Sequence, residues 1–174
     1  MIKILHQRKR NRLRNFDYSS SGWYFVTVCT KDREEYFGNV VSKKMILNKY
    51  GEIVKQQWLW LEKHFLFIKL DQWIIMPNHL HGIVIIKPHS IIVRNGRDRS
   101  LLVKIKPLSD FIGAFKTTSS KMIHQSGLND FQWQKSFYDH IIRNKKSLFA
   151  IRQYIKDNPK NWEKDRNNPE NLFM

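Results

Sequence analysis

The chain has 174 residues, enough for one domain with extensions, and 41% of them are apolar, enough for a core. Lys and Arg total 31 against 15 Asp and Glu, a formal net charge of +16, which points to a polyanionic partner, with nucleic acid ahead of an anionic membrane surface. The single cysteine, Cys29, excludes an internal disulfide and a cysteine zinc cluster, and no apolar run approaches the roughly 20 residues of a membrane-spanning helix.

Residues 1–21 read as a basic N-terminal arm, either a solvated tail or a phosphate-contacting segment. It lacks the apolar stretch of a secretory signal, so a cytoplasmic, nucleoid-associated location is expected. The β-branched and aromatic run GWYFVTVCTK from Gly22 to Lys31 predicts a strand, with Cys29 a small buried hydrophobe. A helix follows, capped by Asn48, with Val54, Trp58 and Leu61 on one face. FIKLDQWIIM (Phe67 to Met76) and HLHGIVII (His79 to Ile86) predict two strands joined by a Pro77–Asn78 turn.

Lys87 to Pro107 reads as a long, basic, exposed loop. Leu108 to Gly127 predicts a second helix, with Ser109 as cap and Gly127 as stop. Phe131 to Asn144 carries a fourth strand, and Lys145 to Pro159 a last helix whose apolar stripe is Leu148, Ile151 and Ile155. Residues 163–174 read as a loose polar tail. The first six elements, βαββαβ, predict an α+β, ferredoxin-like antiparallel sheet with helices on one face.

In a strand, alternate side chains share a face, so His79 and His81 point together and Leu80, Gly82, Val84 and Ile86 point toward the helices. Two imidazoles so placed are either structural histidines or two ligands of one divalent cation with open positions. Tyr154 and Asn158 lie four apart on the flank of the last helix, next to Ile151. On spacing alone they have plainer readings, a core-edge tyrosine and an asparagine that ends a helix before Pro159. Acids are sparse near the histidines, and Asp71 is the nearest in sequence.

The ordered set PNHLHGIV, WQKSFYDHIIRN and IRQYIKDNP resembles the single-tyrosine HUH transposases, and within them the REP-associated tyrosine transposases, over Gly22 to Trp162. The resemblance implies a metal-dependent endonuclease and strand transferase acting on single-stranded or hairpin DNA through a 5′-phosphotyrosine intermediate, with Mg or Mn as cofactor. It implies His79, His81 and Asn158 as metal ligands and Tyr154, on the C-terminal helix, as nucleophile. The asparagine stands where some relatives carry glutamine. Tyr138 is the rival nucleophile. The resemblance also makes Arg8, Lys9, Arg10, Arg12, Arg14, Lys116, Lys121, Arg143, Lys145 and Lys146 candidate DNA contacts, with Trp23 and Trp133 either stacking platforms or core. It leaves open whether the chain works as a monomer or a homodimer. A non-catalytic hairpin DNA- or RNA-binding module and a metal-dependent hydrolase are the competing readings.

Overall fold

The computed structural model describes residues 17–87, 92–95, 99–102 and 106–171, with 92–95 and 99–102 described as backbone. Arg8, Lys9, Arg10, Arg12 and Arg14 lie outside the described residues. In chain order the elements are β1 (Gly22–Cys29), the hairpin β2 (Gly38–Val41) and β3 (Lys44–Leu47), α1 (Lys49–His64), β4 (Ile68–Met76) and β5 (His79–Ile86). The hairpin β6 (Ile92–Asn95) and β7 (Arg99–Leu102) follows, then α2 (Leu108–Gln125), β8 (Tyr138–Ile142), α3 (Lys145–Asp157) and 3-10 turns at Asn158–Lys164 and Pro169–Asn171.

The main sheet has the order β4-β5-β1-β8, every neighbour antiparallel. This is the expected ferredoxin-like arrangement, with two hairpins inserted. The first hairpin turns at Ser42 (φ 49) and Lys43 (φ 62), so the left-handed backbone of a two-residue turn is carried without glycine or asparagine. The second lies in the segment expected to be irregular.

One face of the sheet carries the larger core. Tyr24, Val26, Val28, Leu80 and Val84 meet Val54, Trp58 and Leu61 of α1 and Phe111, Ile112 and Phe115 of α2, all fully buried. Gly82 is required there because a Cβ would stand 2.5 Å from the Trp58 ring. Asn48 caps α1 as expected, accepting from the amides of Tyr50 and Gly51. The cap of α2 is corrected: Pro107, not Ser109, holds that position, its ring presetting the entry into the helix, and Ser109 lies inside the first turn. Gly127 (φ 100) follows α2 in the left-handed conformation of a helix stop.

The fourth strand is shorter than expected. The side chains of Phe131 and Trp133 enter the core, the backbone at Trp133 keeps only an isolated antiparallel bridge to Thr30 ahead of β8, and Trp133 Nε1 donates to Ser119 Oγ at 3.0 Å. Trp133 is therefore core. α3 lies on the opposite sheet face, where Ile155, Leu148 and Ile151 pack on Phe25, Ile83 and Ile142, with Trp23 at the margin. Arg152 pins α3 to the sheet through two bonds to Asp71, at 2.9 and 2.5 Å.

Candidate active site

β5 is a central strand, so its two histidines are flanked on both sides: His81 by Thr27 and Ile74, His79 by Cys29 and Met76. Both are fully buried, on the face away from α1 and α2. The Asn78 amide donates to the carbonyls of Arg33 (2.9 Å) and Asn167 (2.8 Å), which turns its oxygen toward His79 Nδ1 at 2.9 Å. Nδ1 therefore carries the proton, and Nε2, a bare acceptor, has no partner. His81 Nδ1 lies 2.8 Å from Thr27 Oγ1, and its Nε2 lies 3.3 Å from Tyr154 Oη. Burial pushes both imidazoles down, His79 well below its usual range and His81 to about 3. Both are neutral at pH 7, the state in which imidazole ligates a cation.

Asp165 is the residue missing from the sequence reading. Ring nitrogens of His79 and His81 and a carboxylate oxygen of Asp165 lie within 4.8 Å of one another. Asn158 is buried beside them; its Nδ2 donates to Asp165 Oδ2 at 2.9 Å and its Oδ1 has no partner. The segment expected to be a loose tail from 163 instead folds back over the sheet, burying Asp165, Asn167 and Asn168. Asp71, the nearest acid in sequence, is occupied by Arg152. The signal for Asp165 was present in DRNNP. Asp165 Oδ1 accepts from the Asn167 amide at 2.6 Å and Asn168 Oδ1 from the Glu170 amide at 3.0 Å, the turns that Asp and Asn form with their own backbone.

The donor set fits a divalent ion. It offers two neutral imidazoles, a carboxylate and an amide oxygen, and two of its buried acceptors, His79 Nε2 and Asn158 Oδ1, are otherwise unsatisfied. A buried polar atom without a partner is expensive, and a cation between the imidazoles and Asp165 would remove that penalty at His79 Nε2. The Asn78–His79 bond is the kind of contact that would fix the orientation of an imidazole holding a cation.

Tyr154 stands over this cluster, 44% exposed, its ring centroid 5.2 Å from that of His81 and edge-on to Phe25 at 6.1 Å. Burial and then the charge of Asp165 raise its phenol, with Arg166 opposing. Tyr138 pairs with Thr27 across β1 and β8, so it shares the site face. Its ring meets Phe25 edge-on at 6.4 Å and Arg166 at 5.6 Å. Of the two tyrosines, Tyr154 is the one whose hydroxyl meets a histidine.

The basic candidates divide. Lys116 is half-buried and donates to the backbone carbonyls of Gln134, Lys135 and Ser136, tying α2 to that segment. Lys121 is exposed on the same helix, in a groove with His124 and Lys135. Arg143, Lys145 and Lys146 are exposed around the start of α3.

No protein-family model matches the chain. Among solved structures, a REP-associated tyrosine transposase bound to a REP hairpin superposes with a TM-score of 0.57 at 20% identity, over 87% of this chain and 73% of that one. The fold is thus that of a tyrosine transposase of this kind. By sequence, the chain is 35% identical over 171 residues to a protein of Haemophilus influenzae described as uncharacterized, covering 93% of each. The chain belongs to the same family as that Haemophilus influenzae protein.

Proposed function

We propose that the protein is a metal-dependent nuclease and strand transferase for single-stranded, hairpin-bearing DNA, with Tyr154 as nucleophile. The observation that carries this is the position of Tyr154 Oη, 3.3 Å from His81 Nε2 and above the cluster of His79, His81, Asp165 and Asn158. The transposase fold, the hairpin bound by the structural relative and the net charge of +16 support the DNA substrate.

A divalent cation held by His79, His81, Asp165 and Asn158 would polarise a phosphate oxygen as a Lewis acid. Two imidazoles favour a first-row transition ion such as Mn over Mg. Tyr154 supplies the nucleophile. Its phenol is held protonated by burial and by Asp165, so the proton must leave as Oη bonds to phosphorus. The Asp165 carboxylate, which interacts with this phenol, would hold the cation through one oxygen and would take the proton on the other. The bond from phosphorus to the 3′ oxygen breaks, the 3′ oxygen gains a proton, and the 5′ phosphate stays on Tyr154. Attack by another 3′ hydroxyl reverses the step and rejoins the strand without external energy.

A second reading, hydrolysis by water, draws support from Asp165, a carboxylate beside the histidine pair. One experiment separates the readings. Hairpin oligonucleotides labelled at either end are incubated with Mg or Mn and with wild type, Tyr154→Phe or Tyr138→Phe, then run on a denaturing gel. A cation-dependent protein–DNA adduct that is lost in Tyr154→Phe and kept in Tyr138→Phe is the expected result. Free ends that persist in Tyr154→Phe indicate a hydrolase. Tight hairpin binding indifferent to chelator, with no product, indicates a binding module.

A further inference from the structure

We propose that Tyr138 and Arg166 form a seat for the nucleotide adjoining the scissile phosphate, the ring stacking on its base and the guanidinium holding its phosphate. The inference rests on the nuclease reading and gives Tyr138 a task other than attack.

The turn that buries Asp165 in the cluster points the next side chain, Arg166, outward to solvent. That turn is rigid. The Asp165 amide donates to the Trp162 carbonyl at 3.0 Å, and the Asp165 carbonyl accepts from the Asn168 amide (3.0 Å) and from Asn171 Nδ2 (2.9 Å). Arg166 is therefore presented at the rim of the cluster by the same residue that enters it.

The guanidinium lies 5.6 Å from the Tyr138 ring centroid. Tyr138 is 41% exposed and pairs with Thr27, whose hydroxyl bonds His81. Two strand spacings, about 10 Å, thus separate Tyr138 from His81 on one sheet face. Phe25 touches the rings of Tyr138, Tyr154 and His81, so all three belong to one contiguous surface.

Arg166 differs from the other arginines and lysines packed around the site. Arg152 is paired with Asp71, Lys116 is bonded to backbone carbonyls, and Arg33 donates to Asn167. Among the described residues no carboxylate lies within ion-pair distance of Arg166. Its charge is nevertheless felt at His79, His81 and Tyr154. An unpaired guanidinium at the edge of a phosphodiester site, resting on an exposed aromatic ring, matches the two chemistries of a nucleotide. Charge-assisted bonds to phosphate outcompete the ring for the guanidinium, and base stacking on an aromatic tolerates any sequence.

The test uses the full chain and a hairpin oligonucleotide in chelator, so that only binding is read. One phosphate at a time is replaced by methylphosphonate, and one base at a time by an abasic site. Wild type, Arg166→Ala, Arg166→Lys, Tyr138→Phe and Tyr138→Leu are compared. Arg166→Ala should bind unmodified DNA about tenfold more weakly, and Arg166→Lys should recover part of that loss. At one methylphosphonate position wild type and Arg166→Ala should bind alike, and that position should adjoin the cleavage site mapped with Mn. Tyr138→Phe should bind as wild type. Tyr138→Leu should lose about fivefold or more, except on DNA lacking the one adjoining base. If Arg166→Ala unfolds, wild type must still lose affinity at that single phosphate. Wild type that cleaves but shows no coupled phosphate or base overturns the inference alone. Wild type that neither binds nor cleaves hairpin DNA overturns the nuclease reading and the inference with it.

Discussion

The two faces of the central sheet are built on opposite rules. Toward α1 and α2 the sheet presents Tyr24, Val26, Val28, Leu80 and Val84 to a core that is mostly apolar and aromatic, with Ser119 of α2 buried in it as the acceptor for Trp133 Nε1. Toward α3 it presents a small apolar patch, Phe25, Ile83 and Ile142, and then Thr27, His79 and His81. The first face gains from each buried side chain. The second holds neutral imidazoles, a carboxylate and an amide out of water, two of whose acceptors lack partners. Alternation along a single strand lets β5 serve both faces, since Leu80 anchors the core while His79 and His81 face the site. The difference teaches that the larger apolar core lies on one side of the sheet, while the other side combines a small core with a cluster of buried polar groups.

Four kinds of change break or sharpen this contrast: loss of the Tyr154 hydroxyl, damage to the α1–α2 face, pH, and removal of a lysine of α2. Tyr154→Phe removes one oxygen from a half-exposed ring. It should abolish the covalent adduct, at least a thousandfold loss on a denaturing gel, while leaving the melting temperature within about 2 °C of wild type. On the other face Trp58→Ala should destabilise the fold by about 3–5 kcal/mol in urea titration. Gly82→Ala, which forces a Cβ onto the Trp58 ring, should destabilise it by about 1–3 kcal/mol. Neither should remove metal binding from the fraction that stays folded.

The third kind of change is pH. The folded pKa values of His79 and His81 lie below the unfolded value near 6.5, so the unfolded chain takes up protons first as pH falls. Their contribution is fully present above about pH 6.5 and is lost as pH falls below it toward the folded values. The slope is up to about 1.4 kcal/mol per pH unit for each histidine. Denaturant melts of the metal-free protein between pH 7 and 5 measure this. His79→Gln should flatten the slope by about half, and an unchanged slope would show that the buried pair is not its source.

The smallest effect separates two lysines of α2. Lys116→Met should lower stability by about 1 kcal/mol, since three carbonyls lose their donor, and leave the salt dependence of hairpin binding unchanged. Lys121→Met should leave stability alone and reduce that salt slope by about 0.7 to 0.9. Equal salt slopes for both variants would remove Lys121 from the DNA contacts.

Local patterns were legible where one element settles the outcome. The alternation at His79 and His81, the helical spacing of Val54, Trp58 and Leu61, and the four-residue step from Tyr154 to Asn158 all appear in the structure. The turn at Ser42–Lys43 was not legible, because neither residue advertises positive φ. Nor was the inward turn of Phe131 and Trp133, because an apolar alternating run fits a strand and a core-filling loop equally well.

Asp165 marks the boundary between the two kinds of information. The sequence by itself determined the order of the four strands of the main sheet and the three helices, the shared face of the two histidines and the helix that carries Tyr154, because each follows from a period of two or of 3.6 residues, whereas the two inserted hairpins were not legible in it. Only the tertiary structure decided which carboxylate joins the histidines, which cations lack an ion pair among the described residues and that residues 158–171 close over the sheet. Those outcomes depend on a chain reversal after α3 that brings residues distant in sequence within hydrogen-bonding distance, and no local periodicity encodes such a contact.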